Sequence, residues 1–277
     1  MDETNGTTPS PTDRRTRETG SRHERYHSLD GSERPVDLGV FDRSAKFDRS
    51  ANHVVFDRPA DPEVSIVVPA RNEERYLPAS LASLAAVETG RSYEVIVVDG
   101  NSDDRTRDIA RSSGARLVEG TDRSIADGRN RGARRANGTW LCFVDADTVV
   151  RPAYVDEMID LVTDESIVGA SSRCRMHGWR SIPMQWTINR LFPRLRRPIL
   201  PGFNLVVSRE TFERVGGFPD VPNEDTAFSR VLAREGRLVY HPDVLVETSA
   251  RRIFESGLAG TIYHYLRLDF HRLRREY

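Results

Sequence analysis

WLCFVDADTVVRP (140–152) climbs from bulky apolar side chains straight into a carboxylate, Asp145, and after one small residue, Ala146, into a second, Asp147. A short continuous apolar run of this kind reads as a parallel strand buried on both faces. The same pattern stands upstream. VSIVVPA (64–70) and YEVIVVDG (93–100) are apolar runs that end in polar residues, and ARLVEG (115–120) is a shorter one. Between them lie helical stretches. Leu77, Leu81, Leu84 and Ala85 recur at helical spacing before Gly90, residues 103–114 end on Gly114, and residues 122–138 end on Gly138. Strand and helix in alternation predict stacked βαβ units with right-handed crossovers, an α/β fold built on a mostly parallel central sheet flanked by helices.

In an open parallel sheet, ligands bind beyond the carboxyl ends of the strands. Three such ends are chemically loaded: Pro69-Ala70-Arg71-Asn72-Glu73, Asp99 to Asp104, and Asp145-Ala146-Asp147. Acids crowded on one sheet edge repel each other unless a cation joins them. Oxygen ligands without neighbouring His or Cys favour a hard divalent ion, Mg²⁺ or Mn²⁺, which takes one or two carboxylates and completes its shell with water and phosphate oxygens. Ala146 leaves room for such a group. The plainer alternative is that Asp145 and Asp147, with Thr148, only cap the next helix. Asp103 and Asp104 read as caps of their own helix.

A second acid pair, Glu224-Asp225, follows Pro219 and Pro222 and opens a helix whose apolar face includes Phe228, Val231 and Leu232. On residue type alone an acid pair there complements the helix dipole. Gly216 and Gly217 predict a tight turn, and Gly202 a close backbone approach. His241 stands alone, which favours a structural role over metal ligation. Arg251 and Arg252 follow the strand-like VLVET, where guanidinium groups suit a diphosphate as well as they suit solvent.

Composition bounds the rest. The chain has 277 residues, 38% hydrophobic and 30% charged, with a formal net charge of -1. That balance gives no global field for nucleic acid, and no nucleic-acid partner is expected. Two cysteines without metal-type spacing suggest a reducing, cytoplasmic setting. No apolar run reaches the roughly 18 residues needed to span a bilayer, and MDETNGTTPSPTDRRTRETG has no apolar core of a secretory signal. Residues 1–60 are polar enough to predict a disordered tail; they carry an imperfect repeat, FDRSAK (41–46), FDRSAN (47–52) and FDRP (56–59). Two segments are both basic and amphipathic. Residues 177–198 interleave Trp179, Trp186, Ile188, Leu191, Phe192 and Leu195 with five arginines. Residues 251–277 predict a helix with Phe254, Leu258, Ile262, Tyr265, Leu266 and Leu273 near one face. Such segments either pack on the domain, as amphipathic surface helices do, or rest peripherally on an anionic surface at the cytoplasmic membrane face, and the sequence leaves both readings open.

These stretches resemble the family 2 glycosyltransferases, an inverting group with the GT-A, Rossmann-like fold. The resemblance rests on VSIVVPARNEERYL (64–77), EVIVVDGNSDDRT (94–106), GRNRGARRANGTWLCFVDADT (128–148), residues 202–238 and VETSARR (246–252). It implies a domain over 61–250 that transfers a sugar from a nucleotide-diphosphate donor, a UDP- or GDP-sugar, with Mg²⁺ or Mn²⁺. It implies that Pro69, Ala70, Arg71 and Glu73 line the nucleotide pocket, that Asp99 accepts from the base, and that Arg129 reaches ribose or phosphate. Asp145 would face ribose and metal, Asp147 would hold the metal, Arg251 and Arg252 would clamp the diphosphate, and Asp225 would be the general base. The sequence does not name the acceptor; a polyprenyl phosphate or a lipid-linked glycan is one candidate. Gly100 departs from the family's usual double-Asp pair. The Gln-x-x-Arg-Trp signature of processive synthases is absent, so transfer of a single sugar is expected. Two alternatives are a sugar-phosphate nucleotidyltransferase, disfavoured by the lack of glycine in PARNEER, and a degenerate nucleotide-sugar-binding scaffold.

Overall fold

The structure, a computed structural model, describes residues 55–121, 123–249 and 251. Arg252, the amphipathic stretch beyond it, and the repeats at 41–52 lie outside the described residues.

Strands β1 (Val64–Ala70), β2 (Tyr93–Asp99), β3 (Arg116–Glu119) and β4 (Trp140–Val144) form the parallel part of the sheet. Three crossover helices join them: α1 (Leu77–Ala85), α2 (Thr106–Ser112) and α3 (Ile125–Arg135). Alternate side chains of each strand feed two cores. Ile66, Val68, Val95, Val97, Cys142 and Val144 pack on one face with Leu77, Leu81 and Leu84 of α1. Val67, Ile96, Val98, Leu141 and Phe143 pack on the other with Ala126 and Ala133 of α3. Both faces are covered, which is why these strands read as unbroken apolar runs. Helix α3 lies unusually close to the sheet: a Cβ at Gly132 would sit 3.0 Å from Val98 Cγ2 and closer still to Val67. Burial pushes the thiols of Cys142 and Cys174 up, so both are inert core residues.

The chain then continues through β5 (Thr148–Val150), α4 (Tyr154–Val162), β6 (Ile167–Met176), α5 (Ile182–Trp186), β7 (Asn204–Ser208), α6 (Arg209–Arg214), α7 (Glu224–Glu235) and β8 (Arg237–Thr248). The strand order is β3-β2-β1-β4-β7-β6-β8-β5. Beyond β4 antiparallel pairings join the parallel ones that the sequence predicts to predominate. β7 runs antiparallel to β4, β6 to β7, and β5 to β8, while β6 and β8 are parallel. The sheet is mixed, with its parallel half carrying the three acidic strand ends.

Of the stretch 1–60 predicted as a polar tail, residues 55–60 are described, and they are tied to the domain. Phe56 is buried, its N–H bonds Ser113 O at 2.9 Å, and Arg58 donates to Gly114 O and Ala115 O, both at 2.9 Å. Gly114, at φ +73°, leaves no room for a Cβ beside Phe56. One aromatic side chain buried in the core, with its backbone bonded to the α2–β3 turn, outweighs the polarity of its neighbours.

Candidate active site

The register of β1 on β2 sets Ala70 beside Asp99. The two following loops therefore leave the sheet together and stitch to each other. Asn72 N–H bonds Ser102 Oγ (2.9 Å), Asp103 N–H bonds Asn72 Oδ1 (2.9 Å), and Glu73 N–H bonds Thr106 Oγ1 (2.8 Å). Asp104 accepts from Thr106 N–H and Glu74 N–H, the capping role expected of it. A cavity of about 310 Å³ opens where these loops meet the end of β4. Pro69, Ala70, Arg71, Glu73, Asp145, Asp147 and Arg251 all line it, as does Ala146. Seven residues far apart in sequence thus converge. The lining also includes Thr121, Arg123, Ser124 and Gly128, which the sequence did not single out. The only advance signal for these was their place just before and within α3, whose N-terminus is capped by Ser124 accepting from Asp127 N–H at 3.2 Å.

Arg251 closes one side. Its guanidinium makes a two-pronged ion pair with Glu73, stands 3.5 Å from Asp147 Oδ2 and lies over the Tyr76 ring at 5.1 Å. Partial burial works against the charge, but Glu73 and Asp147 outweigh it and hold the Arg251 pKa above its ordinary value. Its planar fork is already oriented at the cavity wall.

Two implied roles meet different partners here. Asp99 is 1% exposed and does not line the cavity; it accepts from Arg107 Nε at 2.6 Å and from Ser102 N–H at 3.2 Å. Its carboxylate is engaged before any base arrives, because Arg107 sits in the first turn of α2, within reach of the end of β2. Arg129, 2% exposed, also lies behind the cavity. Its guanidinium bridges Asp145 Oδ1 (2.8 Å) and Glu224 Oε1 (2.5 Å) and lies over the Phe218 ring at 5.3 Å. Burial opposes the charge, and Asp145, Glu224 and Asp225 together outweigh burial. Gly202 makes its close approach to this guanidinium, since a Cβ there would fall 2.6 Å from it. Next along α3, Asn130 donates to Phe218 O (2.8 Å) and accepts from Phe218 N–H (2.9 Å). Gly216 and Gly217 turn the chain beside it at φ +83° and +73°. The GRNRG stretch of α3 therefore ties the DAD turn to the segment that leads into α7.

Asp225 stands at the start of α7. Among the described residues it is in no ion pair. It accepts from Thr226 N–H (2.6 Å) and Gly202 N–H (3.4 Å). Burial first, then the neighbouring Glu224 carboxylate, push its pKa up to about 6, against the pull of Arg129 and these N–H groups. Asp225 does not line the cavity itself; it is linked to the DAD turn through Glu224 and Arg129, and a carboxylate titrating near neutrality suits proton transfer. Phe218 and Phe228, with ring centroids 4.3 Å apart, fix this end of α7 to the sheet. His241 is structural: its Nδ1 accepts from Asp243 N–H (3.2 Å), which leaves Nε2 to meet Glu157 at 2.9 Å.

Residues 65–216 match the family model described as glycosyl transferase family 2. The chain belongs to glycosyl transferase family 2. Among family relatives, a PGL/p-HBAD biosynthesis glycosyltransferase of Mycobacterium bovis is 43% identical over 94 residues, covering 32% of this chain and 36% of that protein. The mannosyltransferase PcManGT of Pyrobaculum calidifontis, solved with GDP-Man and Mn²⁺, superposes with a TM-score of 0.58 at 23% identity, covering 77% of this chain and 66% of the other. S. aureus TarS 1–349 with UDP-GlcNAc gives a TM-score of 0.58 at 19% identity, covering 68% and 59%. The chain thus spans about a third of the curated relative's length and under two thirds of the solved ones. These likenesses show the GT-A glycosyltransferase fold, and the mixed sheet is part of it.

Proposed function

We propose that this family 2 protein transfers a single sugar, with inversion, from a UDP- or GDP-sugar to an acceptor carried on a lipid at a membrane surface. The observation that carries the reading is the placement of the DAD turn, Glu73 and Arg251 around one cavity, with a carboxyl of raised pKa, Asp225, joined to that turn through Arg129 and Glu224. The cavity suits the nucleotide diphosphate, with Arg71 and Arg251 offering charge to its phosphates. In the transfer the acceptor oxygen attacks the anomeric carbon, the bond from that carbon to the diphosphate breaks, and Asp225 takes the hydroxyl proton.

The donor set fits a hard divalent ion. Asp145 and Asp147 both face the cavity, and among the described residues no group of three His, Cys, Asp or Glu forms a self-sufficient metal site. Two carboxylates, with the remaining positions filled by diphosphate oxygens and water, are how Mg²⁺ or Mn²⁺ is usually held. Asp147 would hold the ion and Asp145, fixed by Arg129, would support it; when bound, the ion supplies countercharge to the departing diphosphate.

Titration calorimetry with UDP and GDP, with and without Mn²⁺, tests the donor side, and a screen of UDP- and GDP-sugars tests transfer. Asp147→Ala is expected to abolish the metal-dependent part of nucleotide affinity. Asp225→Asn is expected to keep that affinity and lose transfer to a hydroxyl acceptor by about 10²-fold or more. Metal-dependent affinity that survives Asp147→Ala would refute the ligand assignment. Normal transfer to an alcohol by Asp225→Asn would refute the base.

A further inference from the structure

The segment between β6 and β7 folds as a short 3-10 turn (Trp179–Ser181), α5, a π-helical turn (Thr187–Leu191) and a second 3-10 turn (Phe192–Arg194). Its inner stripe is complete. Ser181 and Ile188 are buried, and Met184 and Phe192 pack on the core. Gln185 Oε1 accepts from Met176 N–H at 2.7 Å, and Asn189 bonds both N–H and O of Cys174, at 2.9 and 2.7 Å. Positions 181, 184, 185, 188, 189 and 192 follow the helical period and form the face that anchors the helical part of the segment.

The outer stripe is apolar as well. Trp179 is 74% exposed, Ile182 61%, Trp186 59% and Leu191 43%; these are four of the six exposed large hydrophobics among the described residues. Packing on the domain therefore does not account for them. The charge around them is of one sign. Arg180, Arg190, Arg194, Arg196 and Arg197 are all exposed, and no Asp or Glu occurs between Glu165 and Glu210, in a chain whose net charge is -1. Arg180 lies over the Trp179 ring at 5.3 Å. Paired tryptophans on a helical surface ringed by arginines match the interfacial zone of an anionic bilayer, where indole rings sit at headgroup level and guanidinium groups meet phosphates.

We infer that the stripe Trp179, Ile182, Trp186 and Leu191, with its surrounding arginines, docks the protein on an anionic lipid surface. No helix among the described residues is long and apolar enough to cross a membrane, so this contact is interfacial. The segment starts where Met176 pairs with Thr248, itself paired with Thr148 next to Asp147, and it ends at Gly202, whose N–H reaches Asp225. It bridges the DAD turn and the candidate base. Docking through it turns the acceptor side of the site toward the bilayer. This last consequence rests on the proposed transfer; the docking itself does not.

The test is co-sedimentation of the full chain with phosphatidylcholine vesicles, with and without phosphatidylglycerol, at low and high salt. Binding is expected only to the phosphatidylglycerol vesicles and to weaken with salt. Trp179→Ser combined with Trp186→Ser should lower the affinity tenfold or more. Arg196→Gln combined with Arg197→Gln should lower it about thirtyfold at low salt, from about 1 kcal/mol per basic residue. Both variants should bind nucleotide with Mn²⁺ as the parent chain does, which separates docking from the donor site and from misfolding. Absence of vesicle binding at low salt overturns the inference, as does binding undiminished in both variants. A soluble complex with an acidic protein in place of vesicle binding overturns it too.

Discussion

Replacing Arg129 by Met separates a structural bridge from a nucleotide ligand. The side chains are similar in length, so the perturbation is mainly the loss of charge and of two ion pairs. In the parent chain Arg129 is 2% exposed and holds Asp145 at 2.8 Å and Glu224 at 2.5 Å. Removing one member of a buried pair costs about 3–5 kcal/mol. Both carboxylates keep 16% exposure, which places the expected loss near the lower end, about 3 kcal/mol, and a domain of ordinary stability survives that. The more specific consequence is electrostatic. Asp225 titrates at about 6 because burial and Glu224 raise it while Arg129 lowers it. Removing that cation leaves only the Thr226 and Gly202 N–H groups to oppose the raising causes, and a buried arginine typically depresses a neighbouring carboxyl by 1–3 units, so a rise of at least about one unit is expected. The acid limb of kcat/KM should move from about 6 toward about 7. Urea denaturation gives the first quantity, and a pH–rate profile of sugar transfer gives the second. A variant that loses donor affinity while its acid limb stays in place would refute the bridge and favour direct contact with the nucleotide.

Gly202→Ala should reproduce part of this effect without touching a charge, because the new Cβ falls 2.6 Å from the Arg129 guanidinium; denaturation should show a loss of about 1–3 kcal/mol, and the acid limb should move in the same direction. Asp225→Asn should change the pH dependence of stability. A carboxyl whose folded pKa, about 6, exceeds its ordinary 3.8 contributes stability that is full below 3.8 and is lost as pH rises toward 6. Denaturation at a series of pH values should therefore find the variant relatively more stable above pH 6, by up to about 3 kcal/mol, with the gap closing below pH 4.

Much of the parallel half was legible because burial on both faces leaves a plain signature. Residues 64–70, 93–99 and 140–144 could be read as strands and ordered by their crossovers. The other half follows from tertiary pairing. FNLVVS (203–208) is as apolar as any parallel strand, yet β7 lies antiparallel beside β4, a choice made by where the preceding helical segment returns the chain. β8 is long but interrupted: Pro242 cannot donate to the ladder, and the register on β6 slips between His241–Ser172 and Val244–Arg173. Phe56 shows the limit of composition: its ring is buried in the core and its backbone lies against Gly114, within a stretch that average polarity assigns to the tail.

In the site, strand ends announced where the acids would gather, but spacing does not say which acid an arginine will meet. Asp99 is claimed by Arg107, a neighbour along the chain, whereas Arg129 meets Glu224 from 95 residues away, across the core that α3 and α7 share. Once those pairings are fixed, the acids sort themselves. Glu73 has Arg251, Asp145 and Glu224 share Arg129, and Asp147 has the edge of Arg251. Asp225 alone among these acids is left to hydroxyl and backbone N–H partners, and its pKa rises accordingly. A carboxyl held by an arginine is too stable as an anion to take a proton usefully, whereas one that is buried and only partly compensated is ready to. The candidate base is therefore singled out by the arginine it lacks, a property of the folded network that a Glu-Asp pair at the head of a helix does not carry in its sequence.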